Sequence, residues 1–401
     1  MNVVLFDTRR NRENMLPLSF TRPVAEMRVG IWTLREKWEH LLAQKTFTLT
    51  EAYLQDKFPL APEAAPALYI NGSLLADEKL MEAVQRMGAL QALTNNGTLL
   101  AFKTEKQHLN YENFEAIARG FTAIEYTGTV NLIEHPWNIF QKNGEALIKD
   151  YEWLTKGKTS EPLSKTNTLL GNAANLFLEK GARVECSILN TTTGPIYIGK
   201  DAEIMEGCVV RGPFALGEHA ALKMAAKIYG PSTLGPHCKA GGEINNSVLF
   251  GYSNKAHDGF LGNSVVGEWC NLGADTNNSN LKNNYGNVEV YSYRDGRSMD
   301  TGLTFCGLIM GDHSKTGINT MFNTGTVVGV SANIFGGDFP PKFIPSFSWG
   351  GAQWLRTFSF EKSIEVAQHM MERRGLKLEE PDRKILQTVY EREEKNRKHF
   401  K

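Results

Sequence analysis

The chain has 401 residues, long enough for two or three domains and a sizeable buried core. Its 44 basic and 44 acidic residues balance, which argues against a generalised nucleic-acid or membrane-surface partner. Five cysteines, an odd number with no C-x-x-C pair, favour free, mostly buried thiols over a disulfide frame or a zinc site.

In chain order, Val3 to Phe6 reads as a short buried strand, followed at once by Asp7 and several arginines. That run is too short and too charged for a signal peptide or a membrane span, so a cytoplasmic protein is expected. Ile31 to Leu42 has helical spacing of apolar residues. Leu68 to Ile70 reads as a second strand entering a turn at Asn71-Gly72, Asp77 to Met87 as a helix, and Gly97 to Phe102 as a third strand. Residues 1–155 thus form a mixed α/β domain, and the polar, turn-rich stretch 156–167 a linker.

From about 168 the periodicity changes. Ile198, Ile204, Val210, Leu216, Leu222, Ile228, Leu234 and Ala240 follow one another in steps of six, every one aliphatic. Gly199, Gly217 and Gly235 recur every 18 residues. Six residues per side and three sides per turn give that number. One aliphatic side chain per hexapeptide points inward, and glycine eases the corner. The series resumes at Met310, Thr316, Phe322, Val328 and Ile334, with Gly311 and Gly329 again 18 apart. A parallel β-helix is therefore expected over 168–350. The phase breaks at Gly241-Gly242-Glu243, and 275–302 has no sixfold register; Val288, Val290 and Tyr291 there suggest a hairpin. Residues 351–401 read as a helical tail, with helices at Ser359 to Arg374 and Pro381 to His399, suited to cap the open end of the coil.

His257 lies between Lys255 and Asp258, close to the disturbed register, and Asn271 opens the coil step before the irregular loop. Acyl transfer to an amine needs a base, stabilisation of an oxyanion and two substrates held together. Histidine suits the first because its ordinary pKa lies near neutral pH. His219 and His237, 18 apart, should stack on adjacent coils, but no third partner with zinc-ligand spacing is evident. No metal site is expected.

His257, Phe260, Leu261-Gly262 and Asn271-Leu272-Gly273-Ala274 resemble the acetyltransferase segment of the bifunctional N-acetylglucosamine-1-phosphate uridylyltransferase/glucosamine-1-phosphate N-acetyltransferase family, as does Gly307 to Asn319. Leu16 to Glu39 is similar to a variant branch with an unusual N-terminal domain. The resemblance implies a left-handed coil, a homotrimer, and acetyl-CoA-dependent N-acetylation of an amino-sugar 1-phosphate, glucosamine 1-phosphate above all. It gives His257 as general base and Asn271 as an orienting contact. Lys227, Glu243, Asn245 and Phe260 would form the sugar-phosphate side, and Lys315, Gly273 and Ala274 the CoA side. The sequence departs from the family where a tyrosine is Phe260, a lysine is Asn245, and Gly-Thr is Asp275-Thr276.

The resemblance also raises nucleotidyl transfer, with UTP and Mg²⁺, in the N-terminal domain. Its glycine-rich loop is absent, so Arg9, Arg10, Arg12, Arg22 and Arg28 are the candidates to hold phosphate in its place. Ser73 stands where the family has a metal-holding aspartate. The alternative is a sugar-nucleotide-binding or scaffolding β-helix protein without catalysis.

Overall fold

Alternation along the first strands sets the N-terminal architecture. In Asn2–Phe6, Val3 and Leu5 join a core with Trp38, Leu68, Ile70 and Leu80, while Val4 and Phe6 join another with Tyr69, Phe102 and Phe114. A strand buried on both faces sits inside a sheet. The computed structural model, which describes residues 1–62, 66–105 and 109–398, shows a six-stranded mixed sheet. Its order is Phe47–Leu49, Asn2–Phe6, Ala67–Asn71, Thr98–Thr104, Gln91–Asn95, Thr122–Glu125. The first three strands are parallel, and Thr98–Thr104 runs antiparallel to both neighbours. The expected helices are Leu34–Leu42, opened by a Thr33/Glu36 capping box, and Glu78–Gln85, capped by Asp77.

The chain divides into two units, residues 1–27, 32–135 and 380–385 in one and 28–31, 136–379 and 386–401 in the other. By its contacts the helix Pro136–Thr155 groups with the second half of the chain.

The core of that second unit is a parallel β-helix of about ten turns. All eight residues of the first sixfold series lie in one buried core, joined by Met310, Phe322, Val328 and Ile334. Three parallel sheets form its sides. The first side runs from Thr168–Leu170 to Phe260–Gly262, the second from Leu176–Leu178 to Phe343–Ile344, and the third begins at Arg183–Val184. Register holds at 18 residues where the glycine repeat predicts it, with Ile196 opposite Phe214 and Phe214 opposite Ser232. The phase break has a plain cause. The coil at Gly241-Gly242 is short, so Leu234 lies opposite Leu249, 15 residues on. The irregular loop is spliced between coils, leaving Val265 opposite Ile309, 44 residues on. Within it Glu289–Ser292 and Arg297–Asp300 form the expected hairpin, whereas Asn277–Asn278 still belongs to the coil.

The sides differ in what covers them. The second is covered by Pro136–Thr155, whose Leu147 and Tyr151 pack with Phe177, Tyr197 and Ala215. Buried Asn143 on that helix accepts hydrogen bonds from Thr233 Oγ1 (3.1 Å) and from Gly30 N (2.8 Å). The first side instead exposes Leu170, Ile188, Val209 and Tyr229 to solvent. At the end of the coil Phe347 meets the rings of Phe360 and Tyr390, and Ser346 bonds Glu393 and Arg397. The tail helices, Phe360–Glu372, Glu380–Arg392 and Glu394–Arg397, thus reach the last turn, as the cap requires. His399, the expected end of the second helix, lies outside the described residues.

Candidate active site

The side chains that the resemblance gives to acetyl transfer lie on two sides of the coil and the corner between them. The third-side strand Asn254–Lys255 turns through His257 into the first-side strand Phe260–Gly262. His257 is exposed. Its turn is tied down by backbone and side chain: Asp275 N donates to Asp258 O (3.0 Å), and Lys255 Nζ donates to the carbonyls of His257 (2.6 Å) and Asp258 (2.9 Å). Gly259, at φ +118°, has no Cβ because one would lie 2.3 Å from Thr276 O. The corner below is two residues shorter. Ala240 to Ile244 spans four steps where Lys255 to Leu261 spans six, although the two ends pair. The wall therefore steps back beneath His257.

On the first side, strand pairing aligns Lys227, Glu243 and Phe260 in one outward column, with Tyr229, Asn245 and Gly262 beside it. On the third side, Asn254, Asn271 and Lys315 form another column through parallel bridges. Asn254 Nδ2 donates to Asn271 Oδ1 (3.4 Å), and Arg374 donates to Asn254 (3.2 Å). Lys315 Nζ donates to His313 O (2.7 Å), and burial pushes this lysine down to about 8. Gly273 and Ala274 are engaged within the coil: Gly273 N donates to Thr316 Oγ1, and Ala274 O accepts from Asn319 N. The predicted sugar side and the predicted CoA side thus occupy two adjacent walls, with His257 on the edge where they meet.

His219 and His237 do stack, at 5.0 Å between ring centroids, but as the first rungs of a ladder continued by Tyr252, Trp269 and His313. All five have positive φ, so the column marks one coil corner and not a converging ligand set. Among the described residues no three His, Cys, Asp or Glu side chains group as a metal site.

The α/β unit has its own cavity of about 410 Å³ past the C-terminal ends of Asn2–Phe6 and Ala67–Asn71, lined by Thr8, Arg10, Asn11, Asn71, Arg119 and Glu134 among others. Ligand crevices of open α/β sheets lie at such strand ends. Most of the predicted phosphate-holding arginines are elsewhere. Arg12 is a buried strut, bonded to Asp7 (3.1 Å), Glu51 (3.0 Å) and the carbonyls of Ser19 and Arg22. Arg22 is buried, Arg9 pairs with Glu13 on the surface, and Arg28 belongs to the other unit and donates to Phe250 O. Arg10 is the member of the set that reaches the cavity. Arg119 was missed because nothing in its local sequence links it to the first strand. Ser73 is buried and donates to Asn71 Oδ1 (2.7 Å). A serine there supplies no carboxylate, and among the described residues no three His, Cys, Asp or Glu side chains group around it, so these residues do not fit a protein-held Mg²⁺.

The chain thus joins an α/β domain to a parallel β-helix built on hexapeptide repeats. Residues 3–159 match the family model described as sugar nucleotidyl transferase. The chain is 31% identical over 204 residues to the bifunctional sugar-1-phosphate nucleotidylyltransferase/acetyltransferase of Sulfurisphaera tokodaii, a stretch covering 50% of this chain and 49% of that protein. It is 30% identical over 124 residues to the bifunctional protein GlmU of Methanococcus aeolicus, covering 31% of this chain and 26% of the relative. The matched stretches thus span half or less of these relatives. Among solved structures, the UDP-N-acetylglucosamine acyltransferase of Arabidopsis aligns with 54% of this chain and 78% of its own at 13% identity and a TM-score of 0.24. Among the described residues no helix is long and apolar enough to cross a membrane.

Proposed function

We propose that the protein transfers an acetyl group from acetyl-CoA to the amine of an amino-sugar 1-phosphate, with glucosamine 1-phosphate as first choice. The observation that carries this reading is the placement of an exposed imidazole on the edge between two polar walls, above a corner that steps back. His257 takes the amine proton as the nitrogen attacks the thioester carbonyl; the C–S bond then breaks, and the CoA thiolate leaves and takes that proton to give free CoA. Lys227 supplies positive charge to the sugar phosphate, and Glu243 and Asn245 contact sugar hydroxyls beside the Phe260 ring. Asn271 orients the reacting groups, and Lys315 with Gly273 and Ala274 lies toward CoA. The first side, which presents both exposed apolar residues and the sugar column, is where a second copy would dock, completing a cytoplasmic homotrimer. The relatives' names and the coil geometry support this reading.

The cavity with Arg10 and Arg119 favours a second activity on the sugar phosphate, nucleotidyl transfer from UTP, with the arginines holding phosphate. Any Mg²⁺ would arrive with the nucleotide.

The test is to incubate the protein with acetyl-CoA and glucosamine 1-phosphate and follow free thiol. Release that depends on the amino sugar is expected. No release with any amino-sugar phosphate would favour a binding or scaffolding protein instead.

A further inference from the structure

The inward column of the third side reads Val184, Ile204, Leu222, Ala240, all in the apolar core. The next rung puts Lys255 opposite Ala240. The side chain is 1% exposed, and burial pushes its ammonium down to about 8. A cation at an aliphatic position works against stability unless its head group is well held. Here Nζ donates to the carbonyls of His257 (2.6 Å) and Asp258 (2.9 Å), the turn that carries the exposed imidazole. The same turn is two steps longer than the one below, measured between Lys255 and Leu261 against Ala240 and Ile244. Six steps is the coil's ordinary spacing, as from Leu222 to Ile228, so the corner below is the shortened one, and the lysine reaches into a full-length turn from inside the coil. Departures from a repeat's own rule tend to fall at functional positions.

We propose that Lys255 is a positioning residue for His257: its head group, bonded to two carbonyls from within the coil, fixes this turn so that the imidazole stays aimed at the substrate amine. This rests on His257 being the base of the acetyl transfer. Lys255 touches no substrate and acts through the turn alone.

The experiment compares the full-length wild type, Lys255→Met, His257→Ala and the double variant in steady-state acetyl transfer from acetyl-CoA to glucosamine 1-phosphate. Lys255→Met keeps the apolar stem and removes the donors. It should lower kcat by about 10- to 100-fold, since small misplacements of a reacting group cost that much, and leave both KM values within about twofold. Acting through His257, it should add nothing to the loss in the double variant, which should be as slow as His257→Ala. Should Lys255→Met fail to fold, Lys255→Gln, which keeps a donor, carries the same kcat-against-KM comparison. The proposal is overturned if Lys255→Met turns over like wild type, if KM rises in step with the loss of kcat, or if the double variant shows the full product of the two losses. Wild-type activity in His257→Ala would mark a different failure, that of the base itself, and would remove the proposal with it.

Discussion

Replacing Lys255 by methionine should change how the β-helix responds to alkali. Burial lowers this lysine from the ordinary 10.5 to about 8, and at about 1.4 kcal/mol per pH unit that is a cost of about 3 kcal/mol for holding the charge in the folded state. Below pH 8 both folded and unfolded chains are protonated here, and the full cost is present. Between about 8 and 10.5 the folded chain releases the proton while the unfolded chain keeps it, so the unfolded state binds more protons and stability rises with pH. Above 10.5 both are neutral. The wild type should therefore gain about 3 kcal/mol from this group across that window, and Lys255→Met should not. At neutral pH the variant should be the more stable by about 1–2 kcal/mol, because the lost hydrogen bonds to an exposed turn are replaced by water. Urea unfolding of both proteins at a series of pH values from 7 to 11 reads this directly. Lys315, lowered for the same reason, contributes equally to both proteins and cancels in the difference. Parallel stability curves for the two would refute the reasoning.

Three further outcomes follow from the same structure. Leu222→Ala, at a fully buried site in the aliphatic column between Ile204 and Ala240, should cost about 2–5 kcal/mol in urea unfolding of the solenoid. Val209→Glu with Tyr229→Glu, both on the exposed first side, should shift the sedimenting species from trimer to monomer and reduce acetyl transfer, while the fold by circular dichroism is unchanged. Arg10→Ala and Arg119→Ala in the α/β cavity should each weaken UTP binding by about tenfold in calorimetry, with acetyl transfer retained; Arg9→Ala should leave UTP binding as it was.

How much could be seen in the sequence depended on how regular the physics was. The aliphatic series from Ile198 to Ala240 and the glycines 18 apart were legible because each inward position must stack on the one a coil below, so the rule repeats without exception over that stretch. Lys255 escaped notice as an inward residue because the short coil at Gly241-Gly242 resets the count, and only strand pairing places it opposite Ala240. The helix Pro136–Thr155 was folded into the N-terminal domain by sequence, since periodicity reports which face is apolar and not what that face covers. Arginines were the least legible. A charge pattern does not tell whether Arg12 will be used up by Asp7 and Glu51 or left for a ligand. The column of Lys227, Glu243 and Phe260, proposed for the sugar, brings together residues whose alignment is a property of register, which the family resemblance supplied and composition did not.

The acetyl-transfer reading comes down to what the exposed imidazole does. The most direct measurement is the rate at which N-acetylated sugar phosphate appears by NMR when acetyl-CoA and glucosamine 1-phosphate are supplied, wild type beside His257→Ala. Product formation in the first, slowed by about 10²- to 10⁴-fold in the second, is the predicted result. Equal rates in the two proteins, or no N-acetylated product from either, would contradict it.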